Sequence, residues 1–236
     1  MKEINNVPQH VAIIPDGNRR WAKKRKLQPW EGHDAGAQII EEITKKARDI
    51  GIKYLSFWGS SEENLQKRSP RERRELIAVY EKYFVKLIKS EDIFTQKIRI
   101  NVLGNWRTQL PQKLVRILED GINKTKEHES YFINFFLAYS GDEEMLNAIR
   151  SIAQKFSSGK DITKETVKKH LLTKDLPSVD YMIRTGGEPH LSAGFMMWDI
   201  ANAQLFFSEK YFPDFNEKEF EKAIKEYAHR KRRLGA

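Results

Sequence analysis

"HVAIIPDGNRRWAKK", residues 10–24, changes character within one step. Val11, Ala12, Ile13 and Ile14 form an apolar run that stops at Pro15, and residues 10–15 read as a buried strand. An acid, a glycine, an amide and two arginines follow at once: Asp16, Gly17, Asn18, Arg19 and Arg20, then Trp21. Polar groups packed against the end of a buried strand point to a ligand site at a sheet edge.

The same alternation continues along the chain. Ile39, Ile43, Ala47 and Ile50 recur at helical spacing, which predicts a helix over 34–50 that Gly51 stops. Residues 52–59 read as a second strand. In "SPRE" (69–72) a capping serine, a proline at the first turn and Glu72 mark a helix start. Leu76, Tyr80, Tyr83, Phe84, Leu87 and Ile88 then share one face. Strands are expected near 97–103, 131–139, 179–185 and 203–207, and helices near 110–127, 142–157, after Thr163 and after Asn216. Strands alternating with helices predict an α/β fold over 1–236, a single domain with a mostly parallel central β-sheet flanked by helices. Three strand ends are unusually polar, at 16–20, 60–64 and 184–192, and should meet on one edge.

Composition bounds the chemistry. Apolar residues make up 39% and charged residues 32% of the 236, which is ordinary for a soluble globular chain. No apolar run approaches the roughly 20 residues that span a bilayer, and no basic-then-apolar leader opens the chain, so a cytoplasmic location is expected. The absence of cysteine excludes disulfides, thiolate nucleophiles and Cys-based zinc sites. A net charge of +9 calls for an anionic partner: nucleic acid, a phosphorylated small molecule or anionic lipid. No nucleic-acid recognition motif is present, and the basic run at 229–235 reads by default as a solvated tail.

Gly17 permits a tight turn that brings backbone N–H groups close to a ligand, and Arg19 and Arg20 add forked donors suited to phosphate oxygens. Asp16 is out of place in a purely anion-binding cluster. A divalent cation shared between one carboxylate and diphosphate oxygens, a normal magnesium environment, resolves this. His33, in "EGHDAGA", can donate to phosphate. "RTGGEPHLS" (184–192) offers a second anion site, with Arg184 at a strand end, two free-backbone glycines, and His190, Leu191 and Ser192 behind them. "GSSEENLQKR" (59–68) supplies Ser61, Glu62, Glu63, Asn64, Lys67 and Arg68, or is a mobile polar loop. Walker A, G-x-G-x-x-G, H-E-x-x-H and G-x-S-x-G patterns are absent, as is a D-D-x-x-D acidic cluster.

"DGNRRWA" (16–22), "GHDAGA" (32–37), "SSEEN" (60–64), "IRTGGEPHLSAGFMMWD" (183–199), "FPDF" (212–215) and "RRLG" (232–235) occur in an order and spacing that resemble the cis-prenyltransferases of the undecaprenyl diphosphate synthase type. The resemblance implies condensation of isopentenyl diphosphate with an allylic diphosphate of the farnesyl or geranyl type, with loss of diphosphate and formation of a cis double bond. It implies Mg2+ on Asp16, and an allylic diphosphate cradle of Gly17, Asn18, Arg19, Arg20 and His33 with Trp21 beside it. By the same resemblance Asn64 serves proton removal, Ser61, Glu62 and Glu63 contact substrate, and either Lys67 or Arg68 fills an arginine position. Arg184, with His190, Leu191 and Ser192, is assigned to isopentenyl diphosphate, and Arg233 and Gly235 to a tail that reaches toward a partner subunit. A homodimer, an apolar tunnel walled partly by the 76–88 face, and transient membrane contact for product release are the further expectations.

The chain departs from the family pattern at Pro29 and His190, where arginines are usual, at Gln204, where a glutamate is usual, and near Asp142, where an arginine is common. The alternative reading is therefore a non-catalytic diphosphate-binding subunit of a heteromeric prenyltransferase. Retention of Asp16, Asn64 and Arg184 favours catalysis.

Overall fold

The structure, a computed structural model, describes residues 6–156, 159 and 162–230. Six strands build one sheet: β1 (His10–Ile14), β2 (Tyr54–Trp58), β3 (Ile98–Leu103), β4 (Tyr131–Phe136), β5 (Tyr181–Arg184) and β6 (Gln204–Phe207). Their order is β3-β4-β2-β1-β5-β6, and every neighbouring pair is parallel. The expected mostly parallel sheet is thus parallel at every described pairing. Strand β1 shows why its run is continuously apolar. Val11 and Ile13 enter the core on one face, Ala12 and Ile14 enter that on the other, and all are fully buried.

The larger core lies beneath α2 (Pro29–Ile50), α4 (Pro70–Ile88), α7 (Gln112–Thr125) and α10 (Glu217–His229). The smaller, on the opposite face, packs Tyr139, Met182, Phe195 and Met196. Helix α8 (Gly141–Lys155) packs on the loop of residues 192–194 beside it, and α9 (Lys164–His170) packs on α8. Short helices α1 (Asn18–Lys24), α3 (Glu62–Lys67), α5 (Glu91–Thr95) and α6 (Trp106–Gln109) complete the chain.

Two elements differ from the sequence expectation. Helix α2 begins at Pro29 rather than at 34. Proline at a first helical position loses no hydrogen bond, and the Glu31 side chain accepts from the Gln28 N–H at 2.7 Å, closing the end. Residues 62–67 form α3 rather than a polar loop, because the Ser61 hydroxyl accepts from the Asn64 N–H at 3.0 Å. Strand β1 sits between β2 and β5, so the chain leaves it toward one side and returns on the other. Its carboxyl end is a topological switch point, where open parallel sheets bind ligands.

Candidate active site at the carboxyl end of strand β1

Asp16 stands just past the end of β1, after Pro15, and the β1–β5 register sets Ile14 opposite Arg184. That pairing delivers Arg184 Nη2 to Asp16 Oδ2 at 2.8 Å. Asp16 Oδ1 accepts from the Gly17 N–H at 2.5 Å and lies 3.3 Å from Arg20 Nη2. Arg184 is 4% exposed, and its Nη1 donates to the His190 carbonyl at 2.5 Å. Arg20 Nη1 also reaches Glu188 at 3.1 Å. Gly17 has φ +98°, and a Cβ there would come within 2.6 Å of the Tyr211 ring, so the turn needs glycine.

A second cluster stands across the same opening. Glu72, 8% exposed, gathers two guanidinium groups on one carboxylate oxygen: Arg19 Nε at 3.3 Å and Arg68 Nη1 in a close contact. Arg68 Nη1 also donates to His33 Nε2 at 3.3 Å. Burial, then the charges of Arg68 and Arg19, lower the His33 pKa to about 3. The imidazole is therefore neutral, with its proton on Nδ1. Arg68 Nε is buried without a hydrogen-bond partner among the described residues.

Both clusters open onto a cavity of about 1230 Å³. Asp16, Gly17, Asn18, Arg19, Arg20, His33, Asn64, Arg68 and Ser192 line its polar end. Its other walls include Phe57, Ile98, Ile133 and Phe135 from the sheet. Of the helix face expected to wall a tunnel, Tyr80, Tyr83, Phe84 and Leu87 line the cavity, whereas Leu76 and Ile88 belong to the core.

The remaining expected residues are placed elsewhere. Lys67 pairs with Glu63 in solvent, while Arg68 turns inward and lines the cavity. Glu62 accepts from Asn105 Nδ2 at 2.8 Å, and Ser61 is consumed as a helix cap. Trp21 donates to Asp214 at 2.8 Å and lines a separate recess with Trp30. The ring of His190 is largely exposed, and only its carbonyl reaches Arg184; Leu191 is also exposed. Pro29 stands at the cavity, opening α2. Gln204 pairs in register with Tyr181, at the end of β6 away from Arg184, so this departure removes nothing from the Asp16 cluster within the chain. Arg233 and Gly235 lie outside the described residues. Glu72 and Glu188 were not anticipated as site residues. Glu72 did carry a signal, the capping pattern from Ser69, but spacing alone shows its backbone role and not its carboxylate's partners.

No group of three or more His, Cys, Asp or Glu side chains able to hold a metal occurs among the described residues. A single carboxylate beside diphosphate-binding donors is nonetheless a donor set that suits Mg2+, which keeps several waters and shares substrate oxygens. Asp16 is that carboxylate. Its Oδ1 also lies 3.3 Å from Arg20 Nη2.

The family model described as "Putative undecaprenyl diphosphate synthase" matches residues 14–235. A tritrans,polycis-undecaprenyl-diphosphate synthase (geranylgeranyl-diphosphate specific) of Thermococcus kodakarensis is 39% identical over 98% of this chain and 88% of its own length. An isoprenyl transferase of Thermotoga maritima is 37% identical over 97% of both. The crystal structure of lavandulyl diphosphate synthase from Lavandula x intermedia, in complex with dimethylallyl diphosphate, superposes with a TM-score of 0.91 at 33% identity, covering 98% of this chain and 99% of that one. With the sheet order, the strand-end cluster and these likenesses in agreement, the chain belongs to the undecaprenyl diphosphate synthase family of prenyltransferases.

Proposed function

We propose that this prenyltransferase elongates an allylic diphosphate with isopentenyl diphosphate in the cis sense. The observation that carries the reading is the 2.8 Å contact between Asp16 and Arg184 beside a cavity whose walls include Phe57, Phe84, Ile133 and Phe135, with charged residues such as Glu41, Arg48 and Lys86 farther along. In the reaction the allylic carbon–oxygen bond breaks, diphosphate departs with the electron pair, and the double bond of isopentenyl diphosphate forms the new carbon–carbon bond. The positive charge then sits on the methyl-bearing carbon of the isopentenyl unit, and a proton leaves the methylene between that carbon and the one bearing diphosphate, which forms the new double bond. Gly17, Asn18, Arg19, Arg20, His33 and Arg68, which line the cavity, hold the allylic diphosphate, and Ser192 of the lining, with Arg184 behind Asp16, holds that of the isopentenyl unit. Mg2+, when bound at Asp16, supplies positive charge to the leaving oxygens. Fixed donors aimed where negative charge develops lower the barrier without reorganisation at the moment of reaction. A neutral amide is too weak a base to keep a proton. We therefore assign Asn64, at the mouth, to orient the hydrogen, and the departing diphosphate to accept it. The apolar walls formed by Phe57, Phe84, Ile133 and Phe135 take the lengthening chain.

Purified protein given Mg2+, labelled isopentenyl diphosphate and, separately, geranyl, farnesyl and geranylgeranyl diphosphate is expected to make longer lipids, resolved by chromatography. Failure with all three primers, in folded protein, contradicts the reading. Activity that appears only when a second chain is added favours the non-catalytic subunit instead. The two candidate cations at 67 and 68 separate cleanly. Arg68→Ala is expected to raise the KM of the allylic primer about tenfold or more, the loss of one or two charge-assisted hydrogen bonds. Lys67→Ala, already in solvent, is expected to change it less than about twofold.

A homodimer fits the outermost strand β6, where Leu205 is exposed, and α8, which leaves Leu146 and Ile149 exposed. Light scattering at a mass of one subunit would contradict it. No helix among the described residues is long and apolar enough to cross a membrane. We place the protein in the cytoplasm with transient membrane contact for product release, and cell fractionation with free product in a membrane-free cytosol would contradict that contact.

A further inference from the structure

The loop after Arg184 carries more backbone strain than any other stretch near the cavity. Ala193, Gly194 and Met196 have φ values of 46°, 59° and 50°, so three of four successive residues are left-handed and two of them bear side chains. Such conformations cost free energy and persist only where the surroundings hold them. The hold here is a buried phenol from another element. The Met196 N–H donates to the Tyr139 hydroxyl at 3.2 Å, and that hydroxyl donates to Glu144 Oε2 at 2.5 Å. Glu144 Oε1 accepts from the Thr173 N–H at 3.2 Å, so the carboxylate is itself fixed. Gly141 lets the loop seat closely, since a Cβ there would fall 1.9 Å from the Gly194 carbonyl oxygen.

We propose that Tyr139 is a positioning residue for the isopentenyl diphosphate side of the site. Its hydroxyl pins the left-handed Met196, and residues 191–195 alone separate that pin from the His190 carbonyl that receives Arg184. Ser192, within that short span, lines the cavity. Without the hydroxyl, the buried Met196 N–H loses its acceptor and the loop is free to relax toward ordinary backbone angles. Ser192 and the His190 carbonyl then move, and Arg184 loses one of the two partners that orient it. The cluster of Arg19, His33, Arg68 and Glu72 stands on α1, α2, the end of α3 and α4, none of which Tyr139 bonds. The effect is therefore one-sided.

The proposal rests on the elongation reading. Wild-type turnover tests that reading, and calorimetric binding of isopentenyl diphosphate without primer tests this proposal whether or not turnover is seen. Tyr139→Phe keeps the edge-to-face packing of the ring on Phe136 and Phe195 and removes only the hydroxyl. It is expected to weaken isopentenyl diphosphate binding, and to raise its KM, about tenfold, with the allylic KM and kcat within twofold of wild type. Ile43→Val, in the core on the other face, controls for lost stability and is expected to leave both KM values within twofold. Equal rises in both KM values for Tyr139→Phe, a change below twofold, or the same one-sided rise in Ile43→Val would each overturn the proposal.

Discussion

Asp16→Asn is expected to lower the elongation rate by about 10²–10³, with the loss in kcat and little change in the KM of the allylic primer. The substitution keeps size and shape and removes one negative charge. In the proposed reaction that charge would share a cation with oxygens whose charge grows as the carbon–oxygen bond breaks. Ground-state binding does not need it. Removing an anion from a mouth lined by Arg19, Arg20 and Arg68 leaves diphosphate attraction intact or slightly stronger. Stability also falls, because Arg184 is buried and loses its carboxylate. Breaking a fully buried pair costs about 3–5 kcal/mol. The Asp16 side chain is 31% exposed, and water can replace it in part, so about 1–3 kcal/mol is the expected loss here. Such a loss leaves a domain of ordinary stability folded. Circular dichroism and a denaturant curve check the fold, and steady-state kinetics check the rate. A variant within tenfold of wild-type kcat would remove Asp16 from the chemistry.

Gly32→Ala is the second large effect, and its sign runs against helix propensity. Glycine inside a helix costs about 1 kcal/mol relative to alanine, so the substitution should stabilise an isolated α2. Within the fold, a Cβ at Gly32 would lie 2.1 Å from the carbonyl oxygen of Asn18. A Cβ at Gly36, one turn on, would lie 2.4 Å from Asn18 Oδ1. These two glycines let α1 rest directly on α2, which holds the turn of residues 17–20 against the cavity. The obstructing atom at Gly32 is backbone, so the whole turn must shift. Overpacking of that kind costs about 1–3 kcal/mol and outweighs the propensity gain. Gly17, Asn18, Arg19 and Arg20 move together, and loss of orientation costs rate steeply. We expect Gly32→Ala to lower kcat/KM for the allylic primer by about 10²-fold and to be less stable than wild type by about 1–2 kcal/mol. A variant more stable than wild type with full activity would show that α1 does not depend on this contact.

Much of the sheet is legible in the sequence, for a physical reason. Strands buried on both faces must be apolar throughout, so "VAII" and "YLSFW" declare themselves, and the polar residues that follow mark the edge where the site lies. The start of α2 is not legible, because "PWEGH" contains no apolar period and its glycine reads as a loop signal. That glycine is present for helix packing, which only the third dimension reveals. The choice between Lys67 and Arg68 is open in the sequence because two cations stand side by side and spacing cannot say which turns inward. The structure separates the two at the end of α3, where Arg68 adopts extended angles and reaches His33 and Glu72 while Lys67 stays in solvent. Glu72 and Tyr139 escape notice for a common reason. Each also meets a partner far away in sequence, Arg19 for Glu72 and Met196 for Tyr139, and spacing along the chain carries no record of those pairings.

Diffraction from crystals soaked with Mg2+ and an unreactive farnesyl thiodiphosphate tests the central idea most directly. The account predicts the diphosphate among Gly17–Arg20, His33 and Arg68, a cation bridging it to the Asp16 carboxylate, and the hydrocarbon running into the cavity past Tyr83 and Phe84. Diphosphate bound away from these groups, or held there with Asp16 still paired only to Arg184 and Arg20 and no cation between, would contradict it.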